Sequence, residues 1–263
     1  MNVSTLLRAG AASFGAALIV AVVAHAQAQT MPNNGTWTVQ LSHRDPQKVQ
    51  FGVRIEDAQG DHDSYNDDVA FSTFHGLTRE QLQSPGMNVR FDVVRDAGTL
   101  HCVGYASNGG GGGTFVYAAN PAFVQALSAR GIAPPTGDEQ IRLTLADVTI
   151  AFVDMLRRNG DPMKSASELV RLLDHGVDER YVSAMAALGY RNLGSDELVR
   201  LVDHGVRPAF AQAMQSYGYH PTPDDLVRLV DHGVTVEFVK HLRDRGYHAT
   251  VEQLIRLRDS GIS

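Results

Sequence analysis

The hydrophobic pattern of this chain changes its period once, close to residue 118. Upstream, apolar side chains recur at every second position: Trp37, Val39 and Leu41, then Val49, Phe51, Val53 and Ile55, then Val89, Phe91 and Val93. Leu100, Cys102 and Gly104 continue the alternation, and Phe115 with Tyr117 ends it. Alternation of this kind marks half-buried strands of an antiparallel sheet. Thr78-Arg79-Glu80-Gln81 has the form of a capping box opening a helix of one or two turns. Residues 36–118 are therefore expected to form a small antiparallel β-domain of six or so strands, either a sandwich or a rolled sheet.

Downstream the apolar stripe takes helical spacing, and the whole pattern repeats. Phe123/Val124/Leu127 is followed by Phe152/Val153/Leu156, Tyr181/Val182/Met185, Phe210/Ala211/Met214 and Phe238/Val239/Leu242, each an i, i+1, i+4 set on one helix face. Between them come Leu169/Val170/Leu172/Leu173, Leu198/Val199/Leu201/Val202 and Leu226/Val227/Leu229/Val230. Glycines punctuate the helix ends in two series, Gly131, Gly160, Gly189, Gly218, Gly246 and Gly176, Gly205, Gly233, Gly261, with successive members 28 or 29 residues apart. Glycine just beyond a helix supplies the left-handed position at which a Cβ is penalised. Asp147 holds this place in the first copy, and Pro121 and Pro208 stand where a first-turn proline is tolerated. The period predicts an α-solenoid of about five helix hairpins over residues 119–263. The expected fold class is α+β.

Two ladders run through the repeats. His175, His204 and His232 share one position, in the last helical turn. Equivalent positions in stacked hairpins lie on the order of 10 Å apart, too far to share an ion with bonds of about 2 Å. Their expected role is to cap carbonyls at the negative end of the helix dipole, with no metal bound. Arg142, Arg171, Arg200, Arg228 and Arg256 form the second ladder, a candidate binding stripe. Acids three residues before (Glu139, Glu168, Glu197, Asp225) and three after (Asp174, Asp203, Asp231, Asp259) offer local helical pairing instead.

The N-terminal segment and the charge set the context. Arg8 precedes an apolar run from Phe14 to Ala24, and Ala24-His25-Ala26 and Ala26-Gln27-Ala28 are small-x-small patterns. Residues 1–28 are thus expected to be a secretory signal peptide cut after Ala26 or Ala28, followed by a linker over 29–35. The run is short for a membrane span, so stable insertion after cleavage is not expected. The formal charge of −6 divides evenly, with 16 basic and 19 acidic residues in 119–263, and the absence of a basic face argues against nucleic acid. Cys102 is the only cysteine, so no intramolecular disulfide can form, and it is expected to be a buried apolar residue.

Two stretches invite a stronger reading than they support. The run Gly109–Gly113 lacks the Lys-Ser/Thr of a phosphate loop and is expected to be a flexible hairpin turn. Glu56-Asp57, Asp61-His62-Asp63 and Asn66-Asp67-Asp68 lack the spacing of a calcium loop and are expected to be a solvated acidic loop.

The stretch Leu198-Val199-Arg200-Leu201-Val202-Asp203-His204-Gly205-Val206, with Phe210 and Gly218-Tyr219 after it, resembles a bacterial tandem helical repeat. It is similar to the repeats at the C-terminal end of some BlaR-like membrane zinc metallopeptidases and related secreted proteins. Phe91, Arg95-Asp96-Ala97-Gly98-Thr99 and the glycine run before Phe115 resemble the β-module that stands before those repeats. The resemblance implies an extracytoplasmic accessory or sensing region. No His-Glu-x-x-His occurs, so peptidase activity is not implied. Leu172-Leu173-Asp174-His175-Gly176-Val177 echoes an ankyrin helix end, but the ankyrin period and its Thr-Pro-Leu-His opening are missing.

No nucleophile motif, paired cysteines or nucleotide loop is present in the sequence, and no cofactor is implied. The expected function is a non-catalytic, periplasmic or secreted interaction module that binds a protein or peptide. The alternatives are a sensor of a small ligand or cell-wall fragment, and an enzyme with its site at the domain junction. A concave junction with convergent polar groups would favour the alternatives, and a smooth one the interaction module.

Overall fold

A computed structural model describes residues 34–42, 45–56 and 62–262. The expected signal peptide and its cleavage points lie outside the described residues, as do most of the linker and residues 57–61. Seven strands form one antiparallel sheet: β1 Asn34–Leu41, β2 Lys48–Glu56, β3 His62–Ala70, β4 Phe74–His75, β5 Met87–Val94, β6 Gly98–Ser107 and β7 Gly110–Ala119. Their order is β3-β2-β1-β7-β6-β5-β4. The sheet curls on itself: Phe74, from the strand at one edge, meets Phe51 of β2 edge-to-face at 5.1 Å between ring centroids. Each alternation set seen in the sequence points inward, so Val39, Val49, Phe51, Val53, Phe91, Leu100, Cys102 and Phe115 share one core. The short helix α1, Arg79–Gln83, opens with the expected reciprocal capping box between Thr78 and Gln81.

The glycine run is strand, not turn. Only Asn108 and Gly109, with φ of 51° and 92°, make the tight reversal, and both positive angles suit the twist of a two-residue hairpin. Gly110–Gly113 are paired on both sides, with β6 and with β1. At Gly113 the neighbouring strand leaves no room for a side chain, since a Cβ there would stand 2.1 Å from Val103 O. Trp37 faces Gly113 across the ladder, and a Cβ on Gly104 would stand 2.6 Å from its indole ring. The indole N–H lies 3.1 Å from Val103 O and 3.0 Å from Thr114 O, so it donates to the strands that bear the glycines.

The acidic stretch is likewise not a loop from end to end. Residues 62–70 pair with β2 along its whole length, Asn66 opposite Gly52 and Asp67 opposite Phe51. As an edge strand β3 needs only a thin apolar face, which Tyr65 and Val69 supply. Acidic side chains along an edge also discourage pairing with a further chain.

After the sheet come ten helices among the described residues: α2 Pro121–Ser128, α3 Gly137–Leu145, α4 Ile150–Arg158, α5 Ala166–Asp174, α6 Glu179–Ala187, α7 Gly194–Asp203, α8 Pro208–Ser216, α9 Pro223–Asp231, α10 Val236–Asp244 and α11 Val251–Asp259. Most starts are capped by a side chain that accepts from the first turn, as Thr149, Ser165, Asp178, Thr222, Thr235 and Thr250 do. All nine glycines of the two series follow a helix with φ between 69° and 93°, and Asp147 substitutes for them at 56°. Alternate helices pack together, α3, α5, α7, α9 and α11 in one row and α2, α4, α6, α8 and α10 in another.

The sheet and the helices have their own cores but exchange residues at the junction. Ile141 of α3 is 1% exposed and packs into the interior of the sheet, while Ala97 of the β5–β6 turn packs with the helices. The Tyr117 hydroxyl lies 3.1 Å from Ala97 O and 3.0 Å from the Thr144 hydroxyl, which fastens β7 to α3. Arg95 binds Asp147, and Asp96 accepts the N–H of Ile150 at 3.1 Å, at the start of α4.

Candidate functional site

The repeat positions singled out by the sequence are linking devices between successive repeats. His175, His204 and His232 each follow the last residue of α5, α7 and α9, with φ of −86°, −82° and −87°. Their rings do not cap their own helices. His175 Nδ1 lies 2.7 Å from Asp203, His204 Nδ1 2.8 Å from Asp231, and His232 Nδ1 2.7 Å from Asp259. Each bond crosses to the next repeat, because the odd-numbered helices lie side by side and bring residue i next to residue i+27 or i+28. Asp203, Asp231 and Asp259, three residues after Arg200, Arg228 and Arg256, are therefore engaged by imidazoles of the preceding repeat.

The arginines also reach across. Arg171 pairs with Asp196, Arg200 with Asp224 at 2.6 Å and Arg228 with Glu252 at 2.6 Å. The local i,i+3 pairs exist but are longer, 3.3 Å for Arg200–Glu197 and 3.7 Å for Arg228–Asp225. A stripe whose charges are met in this way is a lock between repeats. Arg142 and Arg256 stand at its two ends, both exposed.

A third set was not foreseen from the sequence. The Tyr190 hydroxyl donates to Pro221 O at 2.8 Å and the Tyr219 hydroxyl to Ala249 O at 2.7 Å, each in the loop one repeat on. Asp161 holds the equivalent place after Gly160, is 1% exposed, and accepts the N–H groups of Leu193 and Gly194. The signal was present in the sequence as the Gly-Tyr, Gly-Tyr, Gly-Asp series, whose polar atoms needed a partner.

Concave regions among the described residues include three that bear on function. The first is a shallow groove of about 590 Å³ on the outer face of β5, β6 and β7, bordered by Asn88, Arg90, Tyr105 and Thr114. Val103, Tyr105 and Val116 are 42%, 54% and 57% exposed there, and Val94 lies on the same face. The second is a hollow of about 470 Å³ beside α11, lined by Tyr247, His248, Gln253 and Arg256.

The third lies at the junction, about 150 Å³ between Ile55 and Tyr65 of the sheet and Arg142, Ala146, Val170 and Asp174 of the helices. Burial and the neighbouring Asp67 carboxylate raise the Tyr65 phenol above its ordinary range, so it stays protonated. Asp174, at the rim, is exposed, and the desolvation it does experience raises its pKa against the opposing pull of His175 and Arg142.

No family model, curated protein or solved structure matches this chain. Among the described residues, no group of three or more His, Cys, Asp or Glu side chains is arranged to hold a metal ion, and no helix is long and apolar enough to cross a membrane. Cys102 is fully buried, and burial pushes its thiol up to about 12, so it cannot supply a thiolate near neutral pH.

Proposed function

We propose that this chain is a non-catalytic, exported interaction module of the bacterial envelope that binds a protein or peptide partner. In this reading the helices form a solenoid of about five stacked hairpins of 28 or 29 residues, held at one end by the β-domain. The two rows of alternate helices and the His–Asp, Arg–acid and Tyr–carbonyl bonds repeated at each step support the stacked arrangement. Arg8, the apolar run from Phe14 to Ala24 and the small-x-small patterns after it support export. The likeness of the repeat to the accessory region of BlaR-like proteins supports the envelope setting.

Partner binding is carried by one observation, the outer face of β5–β7. Val103 and Tyr105 are successive outward residues of β6, and Val116 lies diagonally across from Val103 on β7. Together they leave apolar surface in water, with Val94 beyond the Asp92–His101 pair on the same face. Arg90, Asn88 and Thr114 border it with hydrogen-bonding groups, the arrangement of a recognition patch with a polar rim. A photo-cross-linking side chain at Tyr105 or Val116 is expected to capture a discrete adduct in intact bacteria. The same probe at Arg54, on the polar part of the same sheet face, should capture none. Equal adducts at both places, or none at either, would refute the assignment of this face.

A further inference from the structure

Two successive helices of the odd-numbered row are covered by the next one in the same way. On α7, Arg200 binds Asp224, the Tyr190 hydroxyl donates to Pro221 O, and Leu201 is buried in one cluster with Val227. On α9, Arg228 binds Glu252, the Tyr219 hydroxyl donates to Ala249 O, and Leu229 is buried in one cluster with Ile255. The covering helix brings three groups each time: the carbonyl just before its Thr cap, an acid at its second position and a branched apolar side chain three residues on. The counterparts on α11 of the arginine, tyrosine and leucine are Arg256, Tyr247 and Leu257, and all three line the hollow of about 470 Å³ beside that helix. Among the described residues no helix lies beyond them. Neither the Arg256 guanidinium nor the Tyr247 hydroxyl has an ion pair or hydrogen bond among those residues.

We propose that the outer face of α11 seats an amphipathic helix of another protein, one that opens on a Ser or Thr cap with a carboxylate at its second position. The carboxylate meets Arg256, the carbonyl before the cap accepts from Tyr247, and the apolar side chain three residues on covers Leu257. Gln253 stands where Glu197 and Asp225 offer Arg200 and Arg228 a local acid, so Arg256 is left with its fork of donors free for a carboxylate from outside. A unit that merely closed the array would turn a polar face outward. This one keeps Leu257, and leaves Ile262 45% exposed where Val177, Val206 and Val234 are buried. Ser260 replaces the histidine, so the second acid carried by α9 and α11, Asp231 and Asp259, is not demanded of the partner. The opposite end of a second copy cannot supply the helix. The matching face of α3 is turned to the sheet, with Ile141 in its core and Leu145 packed against it.

The inference is independent of the outer sheet face and is tested on the full chain, with a peptide of its own α9 in place of the partner helix. Residues 221–234 cover α7 through Pro221 O, Asp224 and Val227. The peptide is held helical by a staple between positions 225 and 229, which face away from the seat. Fluorescence anisotropy should show saturable binding, with a Kd of about 10 to 500 µM for so small a surface. Arg256→Glu, folded by circular dichroism, should weaken it at least about tenfold, and so should Asp224→Arg in the peptide. The two changes together should restore binding to within about threefold. Tyr247→Phe should weaken it by about threefold, and Arg180→Glu, on exposed α6, should leave it unchanged. Absence of saturable binding, full binding by Arg256→Glu, or failure of the exchanged pair to recover overturns the proposal. Light scattering that finds a dimer dissolved by Arg256→Glu would put a second copy on the seat, and overturns it too.

Discussion

Removing the Tyr219 hydroxyl isolates one rung of the array with the least disturbance of packing. The phenol is 9% exposed and its oxygen lies 2.7 Å from Ala249 O. Tyr219→Phe keeps the ring, and with it the Arg243 guanidinium stacked 5.1 Å from the ring centroid. What is lost is one neutral hydrogen bond, worth about 0.5 to 1.5 kcal/mol, plus part of the cost of leaving a carbonyl without that partner. The expected loss is about 1 to 2 kcal/mol, or roughly 2 to 6 °C in Tm for a domain of this size. Tyr190→Phe should cost a similar amount, since its hydroxyl donates to Pro221 O at 2.8 Å. Tyr247 occupies the same repeat position but is 62% exposed, so Tyr247→Phe should fall within about 0.5 kcal/mol of wild type. Urea unfolding followed by far-ultraviolet circular dichroism measures all three. A lower midpoint at an unchanged slope reports stability alone, whereas a reduced slope reports repeats unfolding separately. Equal losses at Tyr219 and Tyr247, or no loss at either internal tyrosine, would refute the rung assignment.

Three further outcomes are expected. The carboxyl of Glu139 is held below its ordinary value of 4.5 first by the Thr136 backbone N–H and then by Ser167. Its folded pKa is depressed, so its contribution is present above the unfolded value and fades as pH falls through the lower folded one. Glu139→Gln should therefore flatten the loss of stability below pH 4.5 in acid-unfolding curves, and an unchanged slope would count against the bond. Cys102 should resist a disulfide reagent in the native protein and react fully in denaturant, since burial both hides it and keeps it a thiol. N-terminal sequencing of protein recovered from a bacterial periplasm should begin at Gln27 or Gln29, and recovery of the intact Met1 form from membranes would contradict export as a cleaved protein.

What was legible in the sequence followed from local physics. Strands with one buried face wrote themselves as alternation, and helix ends as glycine at a left-handed position, so β1, β2, β5, β6 and the nine repeat glycines could be placed. The strand β3 was missed because an edge strand needs few apolar residues; His62–Ala70 offers Tyr65 and Val69 and is otherwise small or polar. Glycine is conformationally ambiguous, so a glycine run reads as a turn, and only pairing with β1 on one side and β6 on the other reveals Gly110–Gly113 as strand. The histidine partners were hidden by a one-repeat view: Asp203 is distant from His175 in sequence and adjacent only when α5 and α7 lie side by side. The exposed sheet face did leave a trace. Apolar residues of both parities crowd β6 and β7, as in Phe115-Val116-Tyr117, which a strand with one wet face does not require.

The rungs give the array a grammar of length. Each histidine link between later repeats joins an imidazole to an aspartate 27 or 28 residues further on, with the same chemical pair each time. Excising residues 204–231 would place His232 directly after Asp203, leaving His175 its aspartate and His232 its own. Duplication of the same stretch would likewise supply each new imidazole with a carboxylate. The chain can thus gain or lose whole units by unequal recombination without inventing a contact. The exception is the first step, where Ala146 and Ser167 stand in place of the histidine and the acid. Related proteins of differing length should accordingly vary in the number of distal units and share one proximal one.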